Sequence, residues 1–584
     1  MCGFNVIFKK KLYYKIDNNK FLKSSNFIIN RGPDSKGFFE DDFIKISFFR
    51  LSIMDLSFKA NQPMFSFDRR YIIAFNGEIY NKNELALKIN KKKLKSTSDT
   101  EVLINLFQKY KENCLNMIKG MFSFVIYDRK KKQVFLARDR FGIKPLYFHI
   151  SDDYFFFSSE IKPIVFYNNL TSFDKKMEAK FFFNQEIDTG DKTFFKQISN
   201  LKPAHFGKIV KNKISFSRYW KLENRQINLN SSQKINNLGK LFEKSVKSHL
   251  LSDVNTGLLL SSGTDSKALA YEIKKNKKKF NTYTYDFKND KTYGESNKAS
   301  ITSKKLKLNH FKEFIDEKFV TNNFEKMTYI MESPFTSIRL FGDLKLYQKC
   351  KLNNDKVVLV GHGGDEMFGG YVYNHFIAMI ENFVETKNYS EIIKLTKKPG
   401  NSLMNNINMF YDHSNISRDG RKTTFYSNFN RDFVDEYYRG SNIVFDSKND
   451  NYNLLQKSQL TDIFSRSLTR NLKYSDKLSM YSSVEARIPL LDHDLFEFGF
   501  NLSTRDQFES GISRKTFKEC IKKKYKIDFS PVKKNISDPQ REWMRTGMKD
   551  FFMDTINSSD FKNIDFLNHK RIKKNYNNFI KKKF

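Results

Sequence analysis

Glycine and proline are scarce. The chain holds 24 glycines and 10 prolines in 584 residues, about half the ordinary share. That excludes a collagen-like or Pro/Gly-rich disordered chain. It also implies that the backbone needs these residues where they persist. Cysteine is rarer still. Cys2, Cys114, Cys350 and Cys520 form no CxxC pair, which excludes a disulfide framework and suits a reducing, cytoplasmic setting. No run of about 18 apolar residues occurs, so no membrane-spanning helix is expected. The opening stretch MCGFNVIFKK puts no charged segment ahead of an apolar core, so it does not read as a secretory leader.

What is abundant is positive charge and aromatic side chains. Lys and Arg number 103 against 65 Asp and Glu, a net charge of +38, and 61 residues are Phe. Runs such as Lys91-Lys92-Lys93, Lys277-Lys278-Lys279 and Lys581-Lys582-Lys583 are scattered rather than gathered in a stripe. No nucleic-acid-binding module accompanies them, so no specific nucleic-acid partner is expected. A hydrophobic share of 39% with 16% aromatics is too high for a disordered chain. The length exceeds what one core supports, so two or more domains are expected.

Residues 1–210 read as β-rich, with short β-branched and aromatic runs at 45–49, 71–75, 122–127, 133–137 and 154–157 separated by polar turns. A helix is expected over 99–111 behind the cap-like Ser98. Residues 211–230 are polar and lack apolar periodicity, and are expected to form a linker. From 231 to 584 the pattern becomes α/β. Helical spacing at 238–250 and 265–274 alternates with strands at 257–260, 282–287 and 357–360, which implies a parallel sheet with helices on both faces. Helical segments dominate after about residue 371.

Seven of the 24 glycines fall at two loops, each at a strand's carboxyl end: Gly257 and Gly263, then Gly361, Gly363, Gly364, Gly369 and Gly370. Parallel sheets bind ligands there. In Leu260-Ser261-Ser262-Gly263-Thr264-Asp265-Ser266, hydroxyls and backbone N–H groups would cradle an anion at a helix N-terminus. Asp265 is placed to hold Mg²⁺ bound to phosphates. The spacing is not that of a Walker A loop. It resembles the SGGxDS pyrophosphate loop of ATP pyrophosphatases, with Ser262 in place of the first glycine. The second loop, Gly361-His362-Gly363-Gly364-Asp365-Glu366, offers further oxygen ligands.

Met1-Cys2-Gly3 carries a different chemistry. Removal of Met1 would leave Cys2 with a free α-amine of pKa near 8, able to act as the thiol's own general base. Arg31-Gly32-Pro33-Asp34, Arg50-Leu51-Ser52-Ile53, Asn61-Gln62-Pro63-Met64, Asn76-Gly77-Glu78-Ile79-Tyr80 and Ser98-Asp99-Thr100-Glu101 follow in order. This series resembles the glutaminase domain of N-terminal-Cys glutamine amidotransferases, a four-layer α/β/β/α sandwich of the Ntn-hydrolase type. Such a domain followed by an ATP pyrophosphatase resembles the glutamine-hydrolysing asparagine synthetase family. Leu472-Lys473-Tyr474-Ser475-Asp476-Lys477, Glu485-Ala486-Arg487-Ile488-Pro489 and Asp538-Pro539-Gln540-Arg541-Glu542-Trp543 extend the likeness.

The resemblance implies an ATP-dependent carbon–nitrogen ligase that takes nitrogen from glutamine. Cys2 forms a γ-glutamyl thioester, with Asn76 and Gly77 donating to the oxyanion. Arg50, Leu51, Ile53, Asn76, Gly77, Glu78 and Asp99 bind glutamine. Leu260, Ser261, Ser262, Gly263, Asp265, Ser266, Tyr285, Val360 and Gly361 meet ATP, and Asp265 and Asp365 hold Mg²⁺. Lys477 neutralises charge developing on the phosphates, and His362 lies near the acceptor. Ammonia crosses between the sites. Homodimers occur in the family, though no segment here fixes an interface.

Several positions depart from the family pattern. His362 stands for an acidic residue and Val360 for a serine. Tyr285-Asp286 stands for a small apolar residue plus glycine, and Lys533-Lys534-Asn535 matches a basic segment only in part. All lie on the synthetase side. Glutamine as donor is therefore better marked than aspartate as acceptor. The alternatives are another carboxylate, such as that of a uronic acid sugar, or a binding protein that has lost activity.

Overall fold

The computed structural model describes residues 2–288, 292–386, 427–437, 451–509, 512–529 and 538–581. Lys533-Lys534-Asn535 and the final basic residues lie outside them. The first part is built from two antiparallel six-stranded sheets. One contains Cys2–Lys9, Ile44–Arg50 and Tyr154–Ser158, and the other Tyr71–Ile79, Gly120–Asp128 and Gln133–Arg138. Side chains alternate across each strand. Phe4, Val6 and Phe8 therefore meet Ile72, Ala74, Val125 and Tyr127 between the sheets. Ile7 and Phe156 point the other way, onto Phe21 and Ile164 of the helices Asn18–Asn26 and Ile161–Asn168. On the far side, Val102, Leu103, Leu106 and Phe107 of helix Asp99–Tyr110 cover Ile73, Phe75, Phe124 and Ile126. Ser98 caps that helix by accepting the Thr100 N–H at 3.2 Å. The layers are helix, sheet, sheet, helix, as the family resemblance implies.

The stretch expected as a linker carries a strand. Lys213–Arg218 pairs with His205–Val210 at the edge of the second sheet. Its side chains are mostly exposed, so it lacks the alternation that marks a half-buried strand. Regular structure then lapses until helix Ser231–His249. The intervening residues are anchored: Leu222 is buried and the Trp220 indole donates to Glu497 at 2.8 Å.

The second part centres on a five-stranded sheet, in the order Asn309–Ile315, Asn281–Phe287, Thr256–Leu259, Val357–Leu359, Glu485–Arg487, with every neighbouring pair parallel. The chain builds outward from Thr256–Leu259 in one direction, then crosses to its other side. The strand order thus reverses between Thr256–Leu259 and Val357–Leu359, the place where such sheets bind ligands. Both glycine-bearing loops leave from these two strands.

Candidate active sites

Cys2 starts its strand directly opposite Arg50. It is nearly buried, and burial pushes its thiol pKa up. The Cys2 backbone N–H donates to Asn76 Oδ1 at 3.1 Å. Asn76 Nδ2 is buried without a hydrogen-bond partner among the described residues. An orphaned buried donor costs free energy, and this one belongs to the side chain that holds the Cys2 backbone nitrogen. Gly77 is required sterically, because a Cβ there would lie 2.2 Å from the Met121 carbonyl oxygen.

The Arg50 guanidinium grips the 54–61 loop. It donates to the Ser57 carbonyl at 2.8 Å and to Asn61 Oδ1 at 2.9 Å, and also to the Asp55 carbonyl. Leu51 and Ile53 are buried in the large core cluster of the second part. Asp99 accepts the Ile79 N–H at 2.9 Å, and burial raises its pKa. Glu78 is buried too. Its pKa is driven well up by desolvation and by the charge of Asp99, while Arg487 Nη2 lies 3.2 Å away. The residues expected around glutamine therefore gather at one place, and a strand of the second part closes it.

In the second part, Ser261 and Ser266 tie the first loop into a turn, with their hydroxyls 2.9 Å apart and the Gly263 N–H on Ser261 Oγ at 3.1 Å. Ser262 donates to Glu295 at 2.6 Å. Gly361 and Gly364 let the second loop approach the first, since their Cβ atoms would meet the Ser266 nitrogen at 3.1 Å and Asp265 Cγ at 2.6 Å. Gly363 has φ of +93°, a conformation that favours glycine.

Asp265 and Asp365 converge on one cation, the guanidinium of Arg514. It lies 2.8 Å from Asp265 Oδ2 and 3.2 Å from Asp365 Oδ1. Two carboxylates on adjacent loops are the donor type Mg²⁺ takes, which is commonly bound by one or two carboxylates plus substrate phosphates, and here the Arg514 guanidinium answers their charge. No cluster of three or more His, Cys, Asp or Glu that could hold a metal occurs among the described residues. Lys518, one turn beyond Arg514, has its pKa lowered to about 8 by burial and by Arg514.

The departures are accommodated. The Tyr285 ring fills the space over Gly342, where a Cβ would come within 2.5 Å of it. Asp286 lies over Gly294, whose Cβ would fall 2.2 Å from Oδ1. Val360 donates its N–H to the Arg487 carbonyl at 2.9 Å. The Leu260 N–H is taken by Tyr283 at 2.9 Å and its carbonyl by the Thr284 hydroxyl, so its backbone already serves the sheet. His362 is half-buried. Desolvation lowers its pKa to about 4, so at neutral pH it is a neutral imidazole and a weak base.

A buried ionic cluster joins the two parts. Arg31 donates to the Cys2 carbonyl at 3.2 Å, to Asp476 at 2.8 and 3.2 Å and to Glu160 at 3.2 Å. Lys477 pairs with Glu332, and with Glu160 at 3.5 Å. Lys162 reaches both carboxylates, at 2.8 and 3.0 Å. Lys477 thus sits within an ion network, and burial lowers its pKa. Arg31 and Arg487 lie inside motifs singled out in the sequence, without a stated role there. Arg514 lay in none, and nothing in its local sequence marks it.

Comparison with known proteins agrees with this architecture. A glutamine amidotransferase domain model matches residues 1–220, and an asparagine synthase model matches residues 237–583. An asparagine synthetase [glutamine-hydrolyzing] 1 from Bacillus subtilis is 26% identical over 597 aligned positions, covering 96% of this chain and 92% of that protein. A second Bacillus subtilis protein, asparagine synthetase [glutamine-hydrolyzing] 2, is 30% identical over 80% of this chain and 62% of its own length. A protein named amidase chyE from Penicillium rubens is 25% identical over 85% of this chain and 80% of its own. No helix among the described residues is long and apolar enough to cross a membrane. With a glutamine amidotransferase domain ahead of an ATP-using ligase domain, the chain belongs to the asparagine synthase family.

Proposed function

We propose that this protein makes asparagine from aspartate, glutamine and ATP, with AMP, pyrophosphate and glutamate as co-products. The observation that carries the reading is the pairing, in one chain, of Cys2 beside an unsatisfied Asn76 donor with Asp265 and Asp365 converging at the switch point of the parallel sheet. Once Met1 is removed, the Cys2 nitrogen held by Asn76 Oδ1 becomes the amine that takes the thiol proton. The thiolate adds to the glutamine amide, and Asn76 Nδ2 with the Gly77 N–H takes the oxyanion charge. Collapse expels ammonia and leaves a thioester, which water cleaves to glutamate.

At the second site the aspartate side-chain carboxylate attacks the α-phosphate of ATP, pyrophosphate leaves, and ammonia attacks the resulting acyl-adenylate to release AMP. The Ser261–Ser266 turn cradles the phosphates. Asp265 and Asp365 would hold Mg²⁺, which when bound screens phosphate charge. Lys477 would neutralise charge developing on the phosphates, and its ionic cluster adjoins Cys2 through Glu160 and Arg31. Ammonia must pass as neutral NH₃, so the connection between the sites must be poor in water.

A second reading keeps the mechanism and changes the acceptor to another carboxylate. It is favoured by His362, which stands where the family carries an acid. Both readings are tested by following pyrophosphate from purified protein given glutamine, Mg-ATP and aspartate. Aspartate-dependent pyrophosphate with asparagine formed supports the first. Glutamate release with no aspartate-dependent pyrophosphate removes it in favour of the second.

A further inference from the structure

Arg487 ends the edge strand Glu485–Arg487 of the parallel sheet, and its side chain is fully buried. All three guanidinium nitrogens are bonded. Nε donates to Glu485 at 2.5 Å, and Nη1 to the carbonyls of His249 at 2.8 Å and Leu251 at 2.5 Å. Nη2 donates to Glu78 at 3.2 Å. Its own carbonyl accepts the Val360 N–H at 2.9 Å, and its Cα stands beside Leu359 in the parallel ladder.

One residue thus touches both sites. Its side chain ends at Glu78, two positions after Asn76 on the strand that presents the proposed oxyanion donors. Its backbone fixes Val360, the residue that precedes the Gly361–Gly364 turn and Asp365. The planar fork cannot swing freely, because two of its bonds go to backbone carbonyls of the segment linking helix Ser231–His249 to the central strand Thr256–Leu259. A shift of Glu78 is therefore resisted by, or passed to, the strand itself. The charges argue the same way. Glu78, Asp99 and Glu485 bring three buried carboxylates to this pocket, and the guanidinium answers two of them directly.

We infer that Arg487 is a positioning residue that links occupancy of the glutamine pocket to the geometry of the nucleotide loop. This rests on the two-site reading proposed above. Linkage of this kind is reciprocal. Glutamine binding should order the loop, and Mg-ATP with acceptor should tighten glutamine binding.

The test compares glutamine kinetics of wild type and Arg487→Lys, with and without Mg-ATP and aspartate. Lysine keeps the charge but has one nitrogen for four partners. The expected result is a glutamine KM raised about tenfold, with kcat changed much less. In wild type the glutamine KM falls when Mg-ATP and aspartate are added. In Arg487→Lys that response is lost. Arg487→Lys with the wild-type KM and the wild-type response overturns the inference. Wild type that releases no glutamate from glutamine overturns the two-site reading instead. Should Arg487→Lys fail to fold, hydrogen exchange on Cys2→Ala decides. Saturating glutamine, bound without turnover, should slow the Val360 amide and the peptide spanning residues 357–364. Exchange there that ignores glutamine overturns the inference.

Discussion

The side-chain amide of Asn76 is shared between two tasks: Oδ1 accepts the backbone N–H of Cys2 at 3.1 Å, while Nδ2 is buried with no partner among the described residues. The fold therefore carries an unsatisfied donor on the side chain that holds the proposed nucleophile. A donor that gains a partner only when charge develops stabilises the transition state and not the ground state. Asn76→Ala should lower kcat for glutamine hydrolysis by about 10²–10³-fold, the range for one oxyanion donor, with a much smaller change in KM. Glutamate release measures both constants.

Separation of the two sites gives the next expectation. Cys2→Ala should abolish glutamine-dependent synthesis and leave synthesis from added ammonia near the wild-type level. Asp265→Asn should do the reverse, lowering pyrophosphate release by at least about 10²-fold while glutamate is still formed. The comparison is made by assaying pyrophosphate with each nitrogen source. Equal loss of both nitrogen sources in Cys2→Ala would contradict the two-site account.

Arg514 makes a prediction that needs no turnover. Its guanidinium is nearly buried between Asp265 and Asp365. Replacing it removes a buried cation that both carboxylates share, and breaking a buried ion pair costs up to about 3–5 kcal/mol. Arg514→Met should therefore lower the melting temperature by several degrees. If the two carboxylates suit Mg²⁺, millimolar MgCl₂ should restore part of that loss and shift wild type less. A variant that melts low and ignores Mg²⁺ would argue against Asp265 and Asp365 as its ligands.

Legibility in the sequence was uneven, and the physical reasons are specific. The buried strands were found because β-branched and aromatic residues cluster in them. The two glycine-bearing loops stand out because glycine is rare elsewhere in the chain. Lys213–Arg218 was missed because an exposed edge strand hides no apolar face. The cations that complete the sites, Arg514 beside Asp265 and Arg487 beside Glu78, are separated from their partners by hundreds of residues. No local pattern can announce such a pairing, and each becomes visible only when the sheets bring the chain together.

Acid should loosen the seam between the two parts. His249 is buried against Tyr80, with ring centroids 3.9 Å apart, and its Nδ1–H donates to the Ser245 carbonyl at 2.8 Å. Burial lowers its pKa to about 3, against roughly 6.5 in an unfolded chain. A depressed folded pKa means the folded state binds fewer protons. The stabilisation is complete above about pH 6.5 and is lost as pH falls towards 3, by roughly 4–5 kcal/mol at most. Urea midpoints across that range should fall with acid in wild type, and fall less in His249→Gln, which cannot be charged.

Gly342 offers a test in which two effects of opposite sign compete. It lies inside helix Arg339–Leu352, where replacing glycine by alanine ordinarily stabilises by about 1 kcal/mol. Here the new Cβ would fall 2.5 Å from the Tyr285 ring, and overpacking of that kind costs about 1–3 kcal/mol. The steric term should win, so Gly342→Ala lowers the melting temperature. Tyr285→Val removes the ring and with it the clash. In that background the same glycine-to-alanine change should raise the melting temperature, because only the helix propensity remains. The sign reversal between the two backgrounds would establish that Gly342 is there to seat Tyr285. An alanine that destabilises equally in both would show that it is not.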